Sequence, residues 1–119
     1  MTTRILIIED DPEIVNMFKE FFEGLVNIES SNTASSLSSS KDYNLVILDY
    51  SVLTNKWLEY IENTYVENLV IFSGRMLESD PLAKRYIAIN KVDVMKVVDL
   101  IKYKTDTQTS SKKVFSQVS

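Results

Sequence analysis

The groups able to do chemistry in this chain stand at the ends of short apolar runs. Glu9 and Asp10 follow residues 5–8, Asp49 follows 45–48, Ser73 and Gly74 follow 69–72, and Lys91 lies just past 86–89. If these runs are neighbouring strands, three carboxylates converge. At about 4 Å two like charges repel by roughly 4 kcal/mol at an effective dielectric near 20, so a cation belongs among them. Mg²⁺ suits the donors, being a hard ion that takes carboxylate, water and phosphate oxygens octahedrally. A carboxylate beside such an ion can itself attack phosphorus and become an aspartyl phosphate, once positive charge offsets that of the incoming group. Lys91 is placed to pair with a second phosphoryl oxygen, and the Ser73 hydroxyl to donate to a third.

Composition removes most other chemistry. The chain has no cysteine and no histidine. Disulfides, thiolate and zinc sites, cysteine nucleophiles and Ser-His-Asp catalysis are thereby excluded. Carboxylates, hydroxyls and lysines remain. Acidic residues number 17 against 13 basic, for a net charge of −4. This argues against direct binding of nucleic acid, whose phosphates attract clustered Lys and Arg. No apolar run approaches the ~20 residues of a membrane span, and residues 1–4 lead into a strand without a signal-peptide pattern. No membrane insertion and a cytoplasmic location are expected. A length of 119 residues predicts one domain.

The elements that must position these groups follow from hydrophobic periodicity. Runs 5–8, 45–48, 69–72 and 86–89 are apolar on both faces, as strands of a covered parallel sheet should be. Residues 26–29 alternate, as a half-exposed edge strand does. Ile14, Met17, Phe18, Phe21, Phe22 and Leu25 form the stripe of an amphipathic helix. Asp11 is expected to cap it, Pro12 to open it and Gly24 to end it. Val94, Val97, Val98 and Ile101 predict a last helix with Asp93 as cap. Shorter helices are expected around 33–41, 57–65 and 80–85. Phe18, Phe21, Phe22 and Trp57 are assigned to the core. Strands alternating with helices, joined by right-handed crossovers, give an α/β doubly wound, five-stranded parallel sheet between two helical layers. Ligands of such sheets sit beyond the strands' carboxyl ends. Residues 105–119, rich in Ser, Thr, Gln and Lys, read as a tail or linker after a domain spanning 1–104.

The ordered set Glu9-Asp10-Asp11-Pro12 after 5–8, Asp49 after 45–48, Ser73-Gly74 after 69–72, and Lys91 resembles the receiver domain of two-component response regulators over roughly residues 3–103. The resemblance implies a flavodoxin-like sheet with strand order 2-1-3-4-5. It implies that Glu9, Asp10 and Asp49 hold Mg²⁺ with the Ser51 carbonyl as a further ligand, that Asp49 accepts phosphate, and that Ser73 and Lys91 assist. The implied partners are a histidine kinase or phosphotransfer protein and a downstream effector protein, with a weak homodimer left open. Such a module is not an enzyme; at most it promotes its own phosphorylation and dephosphorylation. Ser51 and Arg75 occupy positions resembling those that tune phosphate lifetime.

The chain departs from that pattern in several places. Residues 50–58 contain neither the Pro nor the Gly usual after the phosphoacceptor, and Val92 stands where a proline usually follows the lysine. A non-proline cis bond costs about 2.5–4 kcal/mol, so a trans Lys91-Val92 bond and some displacement of Lys91 are expected. The spacings between Asp10, Asp49, Ser73 and Lys91 are each shorter than usual, which predicts abbreviated second, third and fourth helices. Ala88 replaces the family's aromatic switch residue, and Tyr86 is expected to face elsewhere. These departures motivate an alternative, a pseudo-receiver that binds proteins without phosphorylation control. A third reading, a hydrolase of the haloacid-dehalogenase type, calls for a general acid two residues after Asp49, where this chain has Ser51.

Overall fold

Strands apolar on both faces can be satisfied only between two layers, and that is where this chain puts them. The structure, a computed structural model, describes residues 3–74 and 80–109. Its strands are β1 (Arg4–Ile8), β2 (Asn27–Ser31), β3 (Leu45–Asp49), β4 (Leu69–Ser73) and β5 (Ile87–Asn90). They form one parallel sheet in the order β2-β1-β3-β4-β5, the doubly wound flavodoxin-like arrangement. The helices are α1 (Pro12–Phe21), α2 (Asn55–Asn63), α3 (Leu82–Arg85) and α4 (Val94–Thr109). Alternate strand residues feed two cores. Ile5, Ile7, Ile47, Val70 and Phe72 meet Phe18, Phe22, Val97, Val98 and Ile101 on one face. Leu6, Ile8, Val46, Leu48 and Ile71 meet Leu37, Ile61, Leu82 and Tyr86 on the other. The register aligns Ile8 with Leu48, so Glu9 and Asp49 leave adjacent strands at one level.

Local chemistry explains the element ends. Asp11 caps α1 by accepting a hydrogen bond from the Glu13 N–H at 2.9 Å, and Pro12 fills the first turn, where its missing N–H costs nothing. Beyond the helix Gly24 adopts φ +78°, a left-handed conformation that favours glycine. The helix expected over 33–41 is instead a 3₁₀ helix over Ala34–Asp42. Its serines bond locally, Ser38 Oγ to the Ser35 carbonyl at 2.9 Å and the Ser35 N–H to Thr33 Oγ1 at 3.3 Å, in competition with α-helical bonding.

Other expectations are corrected. The stripe on α1 is wider than the surface it covers: Met17, Phe21 and Leu25 are 38%, 48% and 66% exposed, so Phe21 is not a core residue. Trp57 is only partly buried, packed against the second core. Run 86–89 is not covered on both faces, because α3 is a single turn beside an edge strand; Ile87 and Ala88 are exposed. The edge strand β2 runs Asn27–Ser31 and not 26–29. Asp93 does not begin the last helix. Asn90 opens a 3₁₀ turn over Lys91–Asp93 that continues into α4, and its Oδ1 accepts from the Val92 N–H at 3.0 Å. α4 continues past the expected boundary at 104 to Thr109, so the first residues of the expected tail are helical; residues 110–119, and Arg75, lie outside the described residues. No helix among the described residues is long and apolar enough to cross a membrane.

Candidate functional site

The sheet's carboxyl edge gathers the expected residues. Glu9 is 4% exposed just past β1, and its backbone N–H still bonds the Ser31 carbonyl of the neighbouring strand at 2.9 Å. Its Oε2 accepts from the N–H groups of Asp10 at 3.0 Å and Asp11 at 3.3 Å, bonds made available by the turn into α1. Asp49 ends β3 at 2% exposure. Its Oδ1 accepts from the Ser51 N–H at 3.1 Å and its Oδ2 from the Ser51 hydroxyl at 2.7 Å, making Asp49 the cap of a 3₁₀ turn over Tyr50–Val52. Asp10 is exposed, yet one oxygen from each of Glu9, Asp10 and Asp49 lies within 4.8 Å of the others.

Lys91 joins the two buried carboxylates. Its Nζ is 3.1 Å from Glu9 Oε1 and 3.1 Å from Asp49 Oδ2. Among the described residues no peptide is cis, so the Lys91-Val92 bond is trans as expected. The expected displacement does not follow. The turn over Lys91–Asp93 aims the side chain back at the sheet, and four methylenes span what the backbone does not. Ser73 is buried at the end of β4, paired in register with Asn90, and lines a cleft of about 330 Å³ together with Asp49, Tyr50, Ser51, Gly74 and Lys91.

Burial and proximity set the charges. Desolvation, reinforced by Asp49, raises Glu9 to about 7. Burial also pushes Asp49 upward, but bonds from Glu9, Ser51 and Lys91 outweigh it and hold Asp49 below its ordinary value. Desolvation would lower Lys91, yet Glu9 and Asp49 together raise it. Glu9 thus exchanges its proton close to neutrality, with the Lys91 ammonium between the pair. The donor set fits a hard divalent cation. It consists of oxygens, and it carries more negative charge than the one lysine reaching it, at 3.1 Å from Glu9 Oε1 and Asp49 Oδ2, offsets.

Two residues of this region escaped the sequence reading. The Ser51 side chain, expected as a position tuning phosphate lifetime beside its carbonyl's metal role, was not expected to hold Asp49 through its hydroxyl, as it does. Asp80 accepts from the Tyr50 hydroxyl at 3.0 Å and from the Leu82 N–H at 2.9 Å. Asp80-Pro81 repeats the Asp11-Pro12 pair, a helix-start signal that marks Asp80 as a cap.

Comparison with solved structures agrees with this fold. A CheY-like response regulator receiver domain protein from Methanospirillum hungatei JF-1 superposes with a TM-score of 0.61 at 24% identity, over 93% of this chain and 99% of that one. The fold is that of a receiver domain. The signal receiver domain of a protein described as a Luxo repressor, from Vibrio parahaemolyticus, also reaches a TM-score of 0.61, at 16% identity over 92% of this chain and 96% of its own. No protein-family model and no curated protein matches the sequence.

Proposed function

We propose that this chain is a signalling receiver that accepts a phosphoryl group on Asp49 and thereby changes its protein contacts. The observation that carries the reading is the buried Asp49 carboxylate held against Lys91, with oxygens of Glu9 and Asp10 within 4.8 Å. Glu9, Asp10 and Asp49 are the residues that would hold Mg²⁺, with the Ser51 carbonyl as a further ligand. Bound there, the ion would supply positive charge to the oxygens of the incoming phosphoryl group.

The chain's own residues do the rest. An Asp49 carboxylate oxygen attacks phosphorus of a phosphohistidine on a kinase or phosphotransfer protein. The new O–P bond forms as the N–P bond breaks, and the imidazole nitrogen leaves with the electron pair. Lys91, already beside Asp49 Oδ2, turns to a phosphoryl oxygen, and the Ser73 hydroxyl donates to another. Glu9 must give up its proton for the cation to bind, since proton and metal compete for the same oxygens. The added charge of about −1.5 to −2, taken by analogy with other phosphorylated side chains, is the trigger for a downstream effector. Mg²⁺ with beryllofluoride should change the fluorescence of Trp57, and Asp49→Ala should abolish that change; an unchanged spectrum in the parent chain would refute the proposal.

The pseudo-receiver reading draws on a different observation. Ala88 offers no aromatic ring, and Tyr86 is locked away from the site, donating to the Ile61 carbonyl at 2.8 Å and accepting from the Val66 N–H at 3.1 Å. A partner that bound equally well before and after treatment with beryllofluoride would favour it.

A further inference from the structure

With the family's aromatic position held by an exposed Ala88, another residue must report on the site if phosphorylation is to be read at all. Tyr50 is the aromatic residue among those lining the cleft with Asp49, Ser73 and Lys91. It follows Asp49 directly and opens the 3₁₀ turn that Asp49 caps. Both capping bonds come from Ser51 and end on the Asp49 oxygens that phosphorylation and a metal would claim. A phosphoryl group or metal on those oxygens competes with both bonds that hold the turn.

Tyr50 is tied outward. Its hydroxyl donates to Asp80 Oδ2 at 3.0 Å, while Asp80 Oδ1 accepts from the Leu82 N–H at 2.9 Å and so holds the start of α3. The far end of α3 is fixed. The Tyr86 N–H bonds the Leu82 carbonyl at 2.9 Å, and the Tyr86 hydroxyl is anchored to Ile61 and Val66. α3 is one turn long and its Leu82 carbonyl holds the Tyr86 N–H that leads into β5, so a shift of Asp80 is carried by the backbone of that turn toward β5 while the Tyr86 hydroxyl stays anchored.

We infer that the Tyr50–Asp80 hydrogen bond is the contact through which occupancy of Asp49 is conveyed to α3 and β5. Tyr50 and Asp80 are positioning residues here, acting through the turn and through α3. The inference rests on the phosphoryl-accepting reading and adds to it a route that the sequence pattern did not supply. By linkage, a contact that carries the signal outward also feeds back on affinity at the site, so its loss alters both.

Two conservative variants isolate the contact. Tyr50→Phe keeps the ring in the second core and removes only the hydroxyl. Asp80→Ser keeps an oxygen able to cap Leu82 but too short to reach Tyr50. The full chain and each variant are titrated with beryllofluoride in Mg²⁺, with Trp57 fluorescence reading binding and amide NMR shifts of Leu82, Ala83, Ile87 and Ala88 reading transmission. In the parent chain these amides should shift on binding. In both variants binding should persist with altered affinity while most of that shift is lost, and the Tyr50→Phe/Asp80→Ser double variant should lose no more than either alone. Parent-like shifts in the variants would overturn the inference and leave the function standing. Absence of binding in the parent chain would overturn both.

Discussion

Two buried carboxylates share one ammonium group, and the consequences of that arrangement are measurable without any partner. Glu9 is raised from an ordinary value near 4.5 to about 7, mainly by desolvation. A group that holds its proton more tightly when folded stabilises the fold fully below its unfolded value, and that contribution is lost as pH rises through about 7. Its size is of order 3 kcal/mol. Metal-free protein should therefore melt lower at pH 8 than at pH 6. Glu9→Gln should flatten this part of the profile, and thermal melts of both chains check it. Mg²⁺ affinity should run the other way, rising with pH as Glu9 deprotonates. Lys91→Ala leaves Glu9 and Asp49 buried without their cation, a loss of about 3–5 kcal/mol when one partner of a buried pair is removed. Denaturant midpoints should show Mg²⁺ recovering part of that loss in the variant; an equal loss with and without Mg²⁺ would count against a common cation site. The sequence marked Glu9, Asp10, Asp49, Ser73 and Lys91 because each ends an apolar run. The reach of Lys91 was illegible, since it depends on a turn capped by Asn90, a residue just past the apolar run that no motif singled out. The Tyr50–Asp80 contact was hidden for a similar reason, joining residues thirty positions apart.

The elements differ in how plainly their residues specify them. α1 was legible because its cap, proline and apolar period all agree, and Phe18 at its centre is fully buried. Phe18→Ala should cost about 3–5 kcal/mol in urea denaturation, through lost burial and the cavity left behind. The span 33–41 was not legible as a 3₁₀ helix. A run of serines has no apolar period, and its hydroxyls compete for the backbone groups an α-helix would use. Tyr86 was expected to face away from the site, and it does, serving as the anchor between the end of α2 and the start of β4. Tyr86→Phe leaves the buried Ile61 carbonyl and Val66 N–H without this partner, so a loss of about 1–3 kcal/mol is expected. Beryllofluoride should still bind in that variant, because the Tyr86 hydroxyl bonds Ile61, Thr64 and Val66 and the residue does not line the Asp49 cleft.

For the molecule as a whole, the topology was readable because physics leaves few alternatives. Strands hydrophobic on both faces demand two covering layers, and right-handed crossovers fix the winding. The edges were less readable. Nothing in residues 86–89 distinguishes an edge strand from a central one, since its exposure comes from the brevity of α3. The receiver fold and the convergence of Glu9, Asp10, Asp49 and Lys91 at its carboxyl edge lead to one central claim, that Asp49 is a phosphoryl acceptor. Intact-mass spectrometry after incubation with acetyl phosphate and Mg²⁺ tests it most directly. The account predicts one added phosphoryl group per chain, mapping to Asp49, released by hydroxylamine, and absent both in Asp49→Ala and when Mg²⁺ is withheld. An unmodified mass under those conditions, or a phosphoryl group that survives the loss of Asp49, would contradict it.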